Sequence, residues 1–181
     1  MNRGILFAGP STLVLSALLH ACRPAPAPDQ LRTLDSLNTT LEAARSTLAE
    51  LDRTQYTVAA ERYAQVGTVL EERFKDTLDP SEAERSVSCY LAIRSAREKG
   101  LAFDEVQADV RGAQQRLAAL EHDLMNGAID PQQGRELLAR EVELASDLDG
   151  NVRVVIADHT RIRRALDTLA LSMNERAQEL P

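Results

Sequence analysis

His122 and His159 are the side chains in this sequence that are best suited to bind a transition metal. A ferritin-like di-iron site requires Glu-x-x-His on two helices, but alanine stands three residues before His122 and isoleucine three before His159. We therefore expect no metal and no other cofactor. His159 falls on a heptad row of apolar residues and is expected to be a buried histidine that sets helix register. His122, flanked by two acidic residues, is expected to face solvent.

Catalytic motifs are absent from the sequence. It contains no nucleophile elbow, no phosphate-binding loop, no Cys-x-x-Cys and no His-Glu-x-x-His. The Cys-x-x-Cys-His motif that attaches a c-type haem is also missing. No pair of side chains stands out as a general acid and base. We therefore expect no catalytic residue and no enzymatic activity.

A single cluster of basic residues could hold an anion such as a peptide carboxylate or a phosphorylated sugar. It consists of Arg153, Arg161, Arg163 and Arg164. Two acidic residues stand at helical spacing from it, Asp158 before the last three arginines and Asp167 after them. Ordinary ion pairs within one helix form at such spacings. Intrahelical pairing is therefore the main expectation and an anion site the alternative.

The stretch LLHACRPAPAPDQ at residues 18–30 contains the first of two cysteines. A short positive start, an uncharged apolar run over residues 4–19 and a small residue precede it, as in a cleaved signal peptide. Leu19-His20-Ala21-Cys22 resembles the bacterial lipobox, although that motif usually has a small or apolar residue in place of the histidine. The resemblance implies cleavage before Cys22, a diacylglyceryl group on its thiol, and an acyl chain such as palmitate on the new amino terminus.

The lipoprotein interpretation divides the chain into a signal peptide over residues 1–21, a lipidated cysteine with a Pro/Ala tether over 22–28, and a helical domain over 29–181. Similarity to gram-negative lipoproteins extends to Arg23, which stands where an inner-membrane retention signal would have aspartate. It implies a lipid-anchored protein of the outer membrane, facing the periplasm. A permanent membrane helix and an ordinary secretion signal are the alternatives for the apolar run.

Composition and charge favour a helical protein without a nucleic-acid partner. The formal net charge of −7 would repel nucleic-acid phosphates. Only 3% of residues are aromatic, and Ala, Leu, Glu, Arg and Gln, which are strong helix formers, dominate. Once Cys22 carries lipid, Cys89 is the only thiol. We expect it to be a small buried helix residue, with a disulfide to another chain as the alternative.

Heptad spacing predicts long helices with coiled-coil character. The rows are Leu34, Leu41 and Leu48; Leu37, Ala44, Leu51 and Val58; Phe103, Val110, Leu117 and Leu124; and Leu138, Ala145, Val152, His159 and Leu166. Asp79-Pro80 and Asp130-Pro131 each combine a helix cap with a first-turn proline. These turns separate arms at residues 29–78, 80–126 and 131–178. The sequence therefore predicts an elongated, antiparallel three-helix bundle.

Glycines and turn-forming residues weaken this pattern at a few points. Gly100 looks like a helix end, and Asp104 with Gln107 looks like a capping box, so the middle helix is expected to be kinked or interrupted near Gly100. A chain reversal there would give a four-helix bundle instead. Residues 54–57 could break the first arm. The third arm is expected to continue through Gly150, because its heptad row stays in phase.

A non-catalytic function follows from these features. An anchored helical rod without catalytic groups is expected to act as an adaptor, scaffold or assembly factor of the cell envelope. Its partners would be membrane lipid, through acylated Cys22, and another protein or a second copy of the chain, through helix faces. A periplasmic bundle that senses a ligand or a metal is the alternative.

Overall fold

The computed structural model describes residues 25–73 and 80–179, which form five α-helices and, within those ranges, no β-strand. The helices are α1 (Pro28–Glu50), α2 (Thr54–Arg73), α3 (Pro80–Arg94), α4 (Ala96–Met125) and α5 (Pro131–Glu179). They pack together as a helical bundle, so the prediction of an all-α protein is confirmed. The segment 1–21 that was expected to be a signal peptide, together with Cys22, Arg23 and Asp79, lies outside the described residues. No described helix is both long and apolar enough to cross a membrane.

The starts of α1 and α5 both combine a first-turn proline with a capping hydrogen bond. α1 begins at Pro28, which was expected to be the last residue of the tether, because a proline in the first turn sacrifices no hydrogen bond; the N–H of Ala27 donates to Oε1 of Gln30. α5 begins at Pro131, and Asp130 Oδ1 accepts bonds from the N–H groups of Gln132 and Gln133, at 2.8 and 3.0 Å. The turn before it contains Gly127 at φ 60°, in the left-handed region that favours glycine.

The start of α1 lies beside the start of α5. Gln30 is 2% exposed, and its Nε2 donates to the carbonyl of Pro131 at 2.9 Å. Since α4 ends where α5 begins, α1 runs antiparallel to α4. The contact of Gln114 Nε2 with Glu42 Oε2 agrees with this direction.

Two short breaks interrupt the helical path. Residues 51–53 separate α1 from α2, and the Asp52 carboxylate accepts bonds from both the N–H and the hydroxyl of Thr54. This break lies immediately before residues 54–57, which the sequence indicated as a possible break in the first arm. Ser95, with φ −83° and ψ −3°, separates α3 from α4.

The expected interruption near Gly100 lies five residues earlier, and Gly100 itself is inside α4. A Cβ at Gly100 would lie 3.1 Å from Cβ of Tyr56 on α2, so this glycine permits a close approach of two helices and does not end one. The expected capping box is also wrong: Asp104 lies in the interior of α4 and binds Arg53. The prediction that Gly150 does not break the third arm is confirmed, because α5 is continuous from Pro131 to Glu179.

The heptad rows supply a large part of the core. Buried members are Leu34, Leu37, Leu41, Leu48, Phe103, Val110, Leu117, Leu124, Leu138, Ala145, Val152 and His159. Val58 is an exception, since it is 46% exposed while Tyr56 and Ala59 are buried. The non-helical residues 51–53 change the rotation of the chain between α1 and α2, so the heptad count does not carry across them. α5 contacts each of the other four helices, and α4 contacts α1 and α2.

Candidate functional site

A cluster of polar and aromatic side chains lies where the break between α1 and α2 meets α4 and α5. We call it the junction cluster; it comprises Asp52, Arg53, Tyr56, Lys99, Phe103, Asp104, Asp158, His159 and Arg161. Its members come from three segments that are far apart in sequence, residues 52–56, 99–104 and 158–161. The close approach of α2 at Gly100 brings these segments together.

His159 projects from α5 toward the helix break. It is 6% exposed, and its Nε2 lies 3.3 Å from the carbonyl oxygen of Asp52. A helix that stops leaves carbonyl groups without intrahelical partners, and a ring N–H can satisfy one of them. With the proton on Nε2, His159 donates this bond. Its burial on the apolar row agrees with the sequence prediction.

Tyr56 forms the centre of the junction cluster. It is 1% exposed, and its ring lies 5.7 Å from that of Phe103 and 5.8 Å, edge-on, from that of His159. Its hydroxyl donates a long bond of 3.5 Å to the carbonyl of Val155. Burial raises the pKa of the phenol to about 12, and the nearby negative charge of Asp158 acts in the same direction.

Asp158 is a buried carboxylate held by two cations. It is 8% exposed; Lys99 Nζ lies 3.1 Å from Oδ2, and Arg161 Nη1 lies 3.0 Å from Oδ1. Lys99 comes from α4 and Arg161 from the same helix as Asp158, so the first ion pair joins two helices and the second stays within one. Each carboxylate oxygen therefore has its own charged partner, which offsets the cost of burying the group.

Arg53 joins the break to α4. Its Nε and Nη2 atoms donate to the two carboxylate oxygens of Asp104, both at 2.8 Å, in a bidentate pair. The guanidinium also lies over the ring of Tyr56, 5.7 Å from its centroid. The hydrogen bonds from Arg53 lower the pKa of Asp104. The pair is half-exposed, so its contribution to stability is modest.

The histidines do not form a metal site. His122 is exposed in the last turn of α4 and His159 is buried in the middle of α5. The start of α5 packs on the end of α4, and His159 lies 25 residues beyond Gly134 on α5, or about 37 Å along the helix. Over the ranges that the structure describes, no three His, Cys, Asp or Glu side chains converge on one point.

The arginine cluster separates into members with different surroundings. Arg153 pairs with Asp149 at 2.8 Å on the exposed side of α5. Arg161 pairs with Asp158, as its spacing predicted. The pairs expected between Asp167 and its neighbours Arg163 and Arg164 are not formed. Arg161 and Arg164 line a groove, whereas Arg153 and Arg163 lie outside it.

This groove lies between α3 and α5, beyond the junction cluster, and has a volume of about 530 Å³. Cys89 lines it and is a free, half-buried thiol. Cys89 was expected to be a small buried helix residue; it lies in α3 and packs against the core, but it is only half-buried because α3 leaves one side of it open to the groove. Other lining residues are Ser88, Ala157, Thr160, Ala165 and Thr168.

Sequence reasoning missed most of the junction cluster. The Asp52-Arg53-Thr54 segment carries a local signal, because aspartate two residues before a hydroxyl residue favours a capped turn. Tyr56, Lys99 and Asp104 each meet their partners only through packing between helices. Nothing in their spacing along the chain indicates these contacts.

Comparisons with known proteins add no family to this description. No protein-family model matches the chain, and neither a curated protein nor a solved structure is significantly similar to it.

Proposed function

We propose that this protein is a lipid-anchored scaffold or adaptor of the bacterial cell envelope, attached to the outer membrane through Cys22 and acting through its helix faces without catalysis. The observation that carries this proposal is α5. It has 49 residues, which correspond to about 74 Å of helix, and it contacts all four other helices. A rod of this length offers long side surfaces on which other chains can be arranged.

The proposed architecture has three arms, of which only the third is a single helix. In it, α1 and α2 form the first arm, α3 and α4 the second, and α5 the third. The bidentate pair of Arg53 with Asp104 and the pair of Lys99 with Asp158 support this arrangement, because they tie the break in the first arm to α4 and tie α4 to α5. Such ties keep an interrupted arm aligned with a continuous one.

The proposed partner surface consists of apolar side chains that the bundle leaves exposed. Val154 on α5 is 57% exposed and Leu101 on α4 is 58% exposed. Single exposed apolar residues are ordinary on protein surfaces, but on long helices packed side by side they offer positions at which a partner helix can pack. The lipid anchor would hold these surfaces at a fixed membrane and so raise the local concentration of protein and partner.

The anchor is tested with the two cysteines as a matched pair. Mass spectrometry of the mature protein is expected to find the diacylglyceryl group on Cys22. The Cys22→Ser variant is expected to leave the membrane fraction, whereas the Cys89→Ser variant is expected to remain in it. An unmodified Cys22 thiol in membrane-extracted protein would refute the anchor.

The scaffold role is tested by site-specific photocrosslinking in intact cells. A crosslinking amino acid at Val154 or Leu101 is expected to give a discrete adduct with one protein. A crosslinker at Arg45, which is exposed but already paired with Glu42 on its own helix, serves as the control. Adducts that are absent at both apolar positions, or identical at the control position, would argue decisively against an adaptor.

A further inference from the structure

The groove between α3 and α5 has the size and lining of a small-molecule site. Its volume of about 530 Å³ falls within the range of roughly 300–1,000 Å³ that is usual for ligand pockets. Buried Ala165, half-buried Cys89 and exposed Ala157 form its apolar part, and charged and hydroxyl side chains line the rest. This combination of an apolar surface with a few polar groups is typical of sites that orient a ligand.

Two guanidinium groups give the groove its charge. Arg161 and Arg164 stand three residues apart on α5, on the same face of the helix, and both line the groove. Within the described ranges Arg164 has no ion-pair partner, and its only acidic helical neighbour, Asp167, does not pair with it.

Arg161 can contact a ligand without leaving Asp158 unpaired. Asp158 is held at the same time by Lys99, 3.1 Å from the other carboxylate oxygen. If Arg161 turns toward the groove, the buried carboxylate keeps one cationic partner, which lowers the cost of the movement. The Lys99–Asp158 pair therefore allows Arg161 to act as a binding residue.

Hydroxyl groups in the groove can accept hydrogen bonds from a ligand. Thr160 donates its hydroxyl proton to the carbonyl of Ile156 and Thr168 donates to the carbonyl of Arg164, both at 2.8 Å. Each hydroxyl oxygen keeps lone pairs that can accept a bond. Acceptors of this kind suit a ligand that carries hydroxyl donors, and the two arginines suit a doubly charged group.

We propose that this groove binds a phosphorylated sugar or polyol, with its phosphate held by Arg161 and Arg164 and its hydroxyls by Thr160 and Thr168. A phosphate monoester carries close to two negative charges at neutral pH and matches two guanidinium groups better than a single carboxylate does. This inference stands on the groove alone and does not depend on the proposed scaffold role or on the anchor.

Cys89 provides the readout for a test, because an occupied groove shields its thiol. In the full chain carrying Cys22→Ser, Cys89 is the only cysteine, and its alkylation by iodoacetamide can be followed by mass spectrometry. Glucose 6-phosphate is the probe, with glucose and inorganic phosphate as separate arms at constant ionic strength. At about twice the dissociation constant of the probe, mass action slows alkylation by about threefold. Glucose is expected to have no effect and phosphate a weaker one.

Two arginine variants decide whether the protection comes from the groove. Arg164→Gln is expected to abolish it. Arg153→Gln, which changes an arginine of the same helix outside the groove, is expected to retain it; both variants should keep the parent's circular dichroism spectrum. Three results would overturn the proposal: no protection by glucose 6-phosphate in the parent, full protection in Arg164→Gln, or inorganic phosphate protecting as well as glucose 6-phosphate, which would indicate binding of any oxyanion.

Discussion

Three glycines inside helices provide a stringent test of the packing, because the same substitution meets different surroundings at each. A Cβ added at Gly150 has no atom within 4 Å, and one at Gly112 meets only the flexible end of Arg116, at 3.7 Å. At Gly100 it would lie 3.1 Å from Cβ of Tyr56. Alanine at Gly150 or Gly112 should therefore stabilise the protein, whereas alanine at Gly100 should not.

The magnitudes follow from helix propensity and packing. Alanine in place of glycine inside a helix gains about 1 kcal/mol, which for a chain of this size raises the melting temperature by about 2–4 °C. At Gly100 the same gain is opposed by overpacking against Tyr56, which is 1% exposed and packs against the rings of Phe103 and His159. Overpacking of a core costs about 1–3 kcal/mol, so Gly100→Ala is expected to range from neutral to about 2 kcal/mol destabilised.

Thermal and urea unfolding, followed by circular dichroism, would measure all three variants under one set of conditions. Gly112→Ala is the matched control for Gly100→Ala, because both change α4. If Gly100→Ala stabilised the protein as much as Gly112→Ala, the close approach of α2 would be refuted. A destabilised Gly150→Ala would show that α5 is not a continuous helix at that point.

Three further predictions concern the junction cluster and the core. The Tyr56→Phe variant should lose the pH dependence of stability that comes from this phenol, because in the parent the tyrosine ionises near pH 10 when unfolded but only at about pH 12 when folded. Between these values the free energy of unfolding of the parent should fall by about 1.4 kcal/mol per pH unit relative to the variant. Urea unfolding of both proteins at pH 8, 10 and 11 would measure the difference. The Asp104→Asn substitution should cost less than about 1 kcal/mol of stability at pH 7, because the ion pair with Arg53 is half-exposed. Folding lowers the pKa of Asp104, so its contribution to stability is present above the unfolded pKa and is lost as pH falls through the folded pKa. If the variant were equally destabilised at pH 2 and pH 7, the pairing would be contradicted. The Leu117→Ala substitution should cost about 2–5 kcal/mol of stability, because Leu117 is 1% exposed. Leu101 is 58% exposed, so Leu101→Ala should change stability by less than about 0.5 kcal/mol. If chemical denaturation gave similar losses of stability for the two variants, Leu117 would not belong to the core.

Local chemistry made several features of the fold predictable. Pro131 begins α5 because the first turn tolerates a missing N–H, and Asp130 caps this helix as its spacing suggests. Pro28 begins α1 for the same reason, although it was expected to be the last residue of the tether. The apolar rows of α4 and α5 are buried because a seven-residue repeat keeps one face toward its neighbours. These features depend on residues that are close in sequence.

Features that depend on distant residues were not predictable. Gly100 resembled a helix end, since a sequence pattern cannot show that Tyr56 packs against it. Val58 followed the heptad count but is exposed, because three non-helical residues intervene before it. The candidate groove was foreseen only as a basic cluster, and the separation of Arg161 and Arg164 from Arg153 and Arg163 required the position of α3.

The bond from Gln30 to Pro131 has a mechanical consequence. It fastens the first turn of α1 to the first turn of α5, so a pull on residues 25–27 reaches the longest helix as well as the first one. The start of α1 cannot separate from the bundle until this bond breaks and the buried side chain of Gln30 is exposed to water.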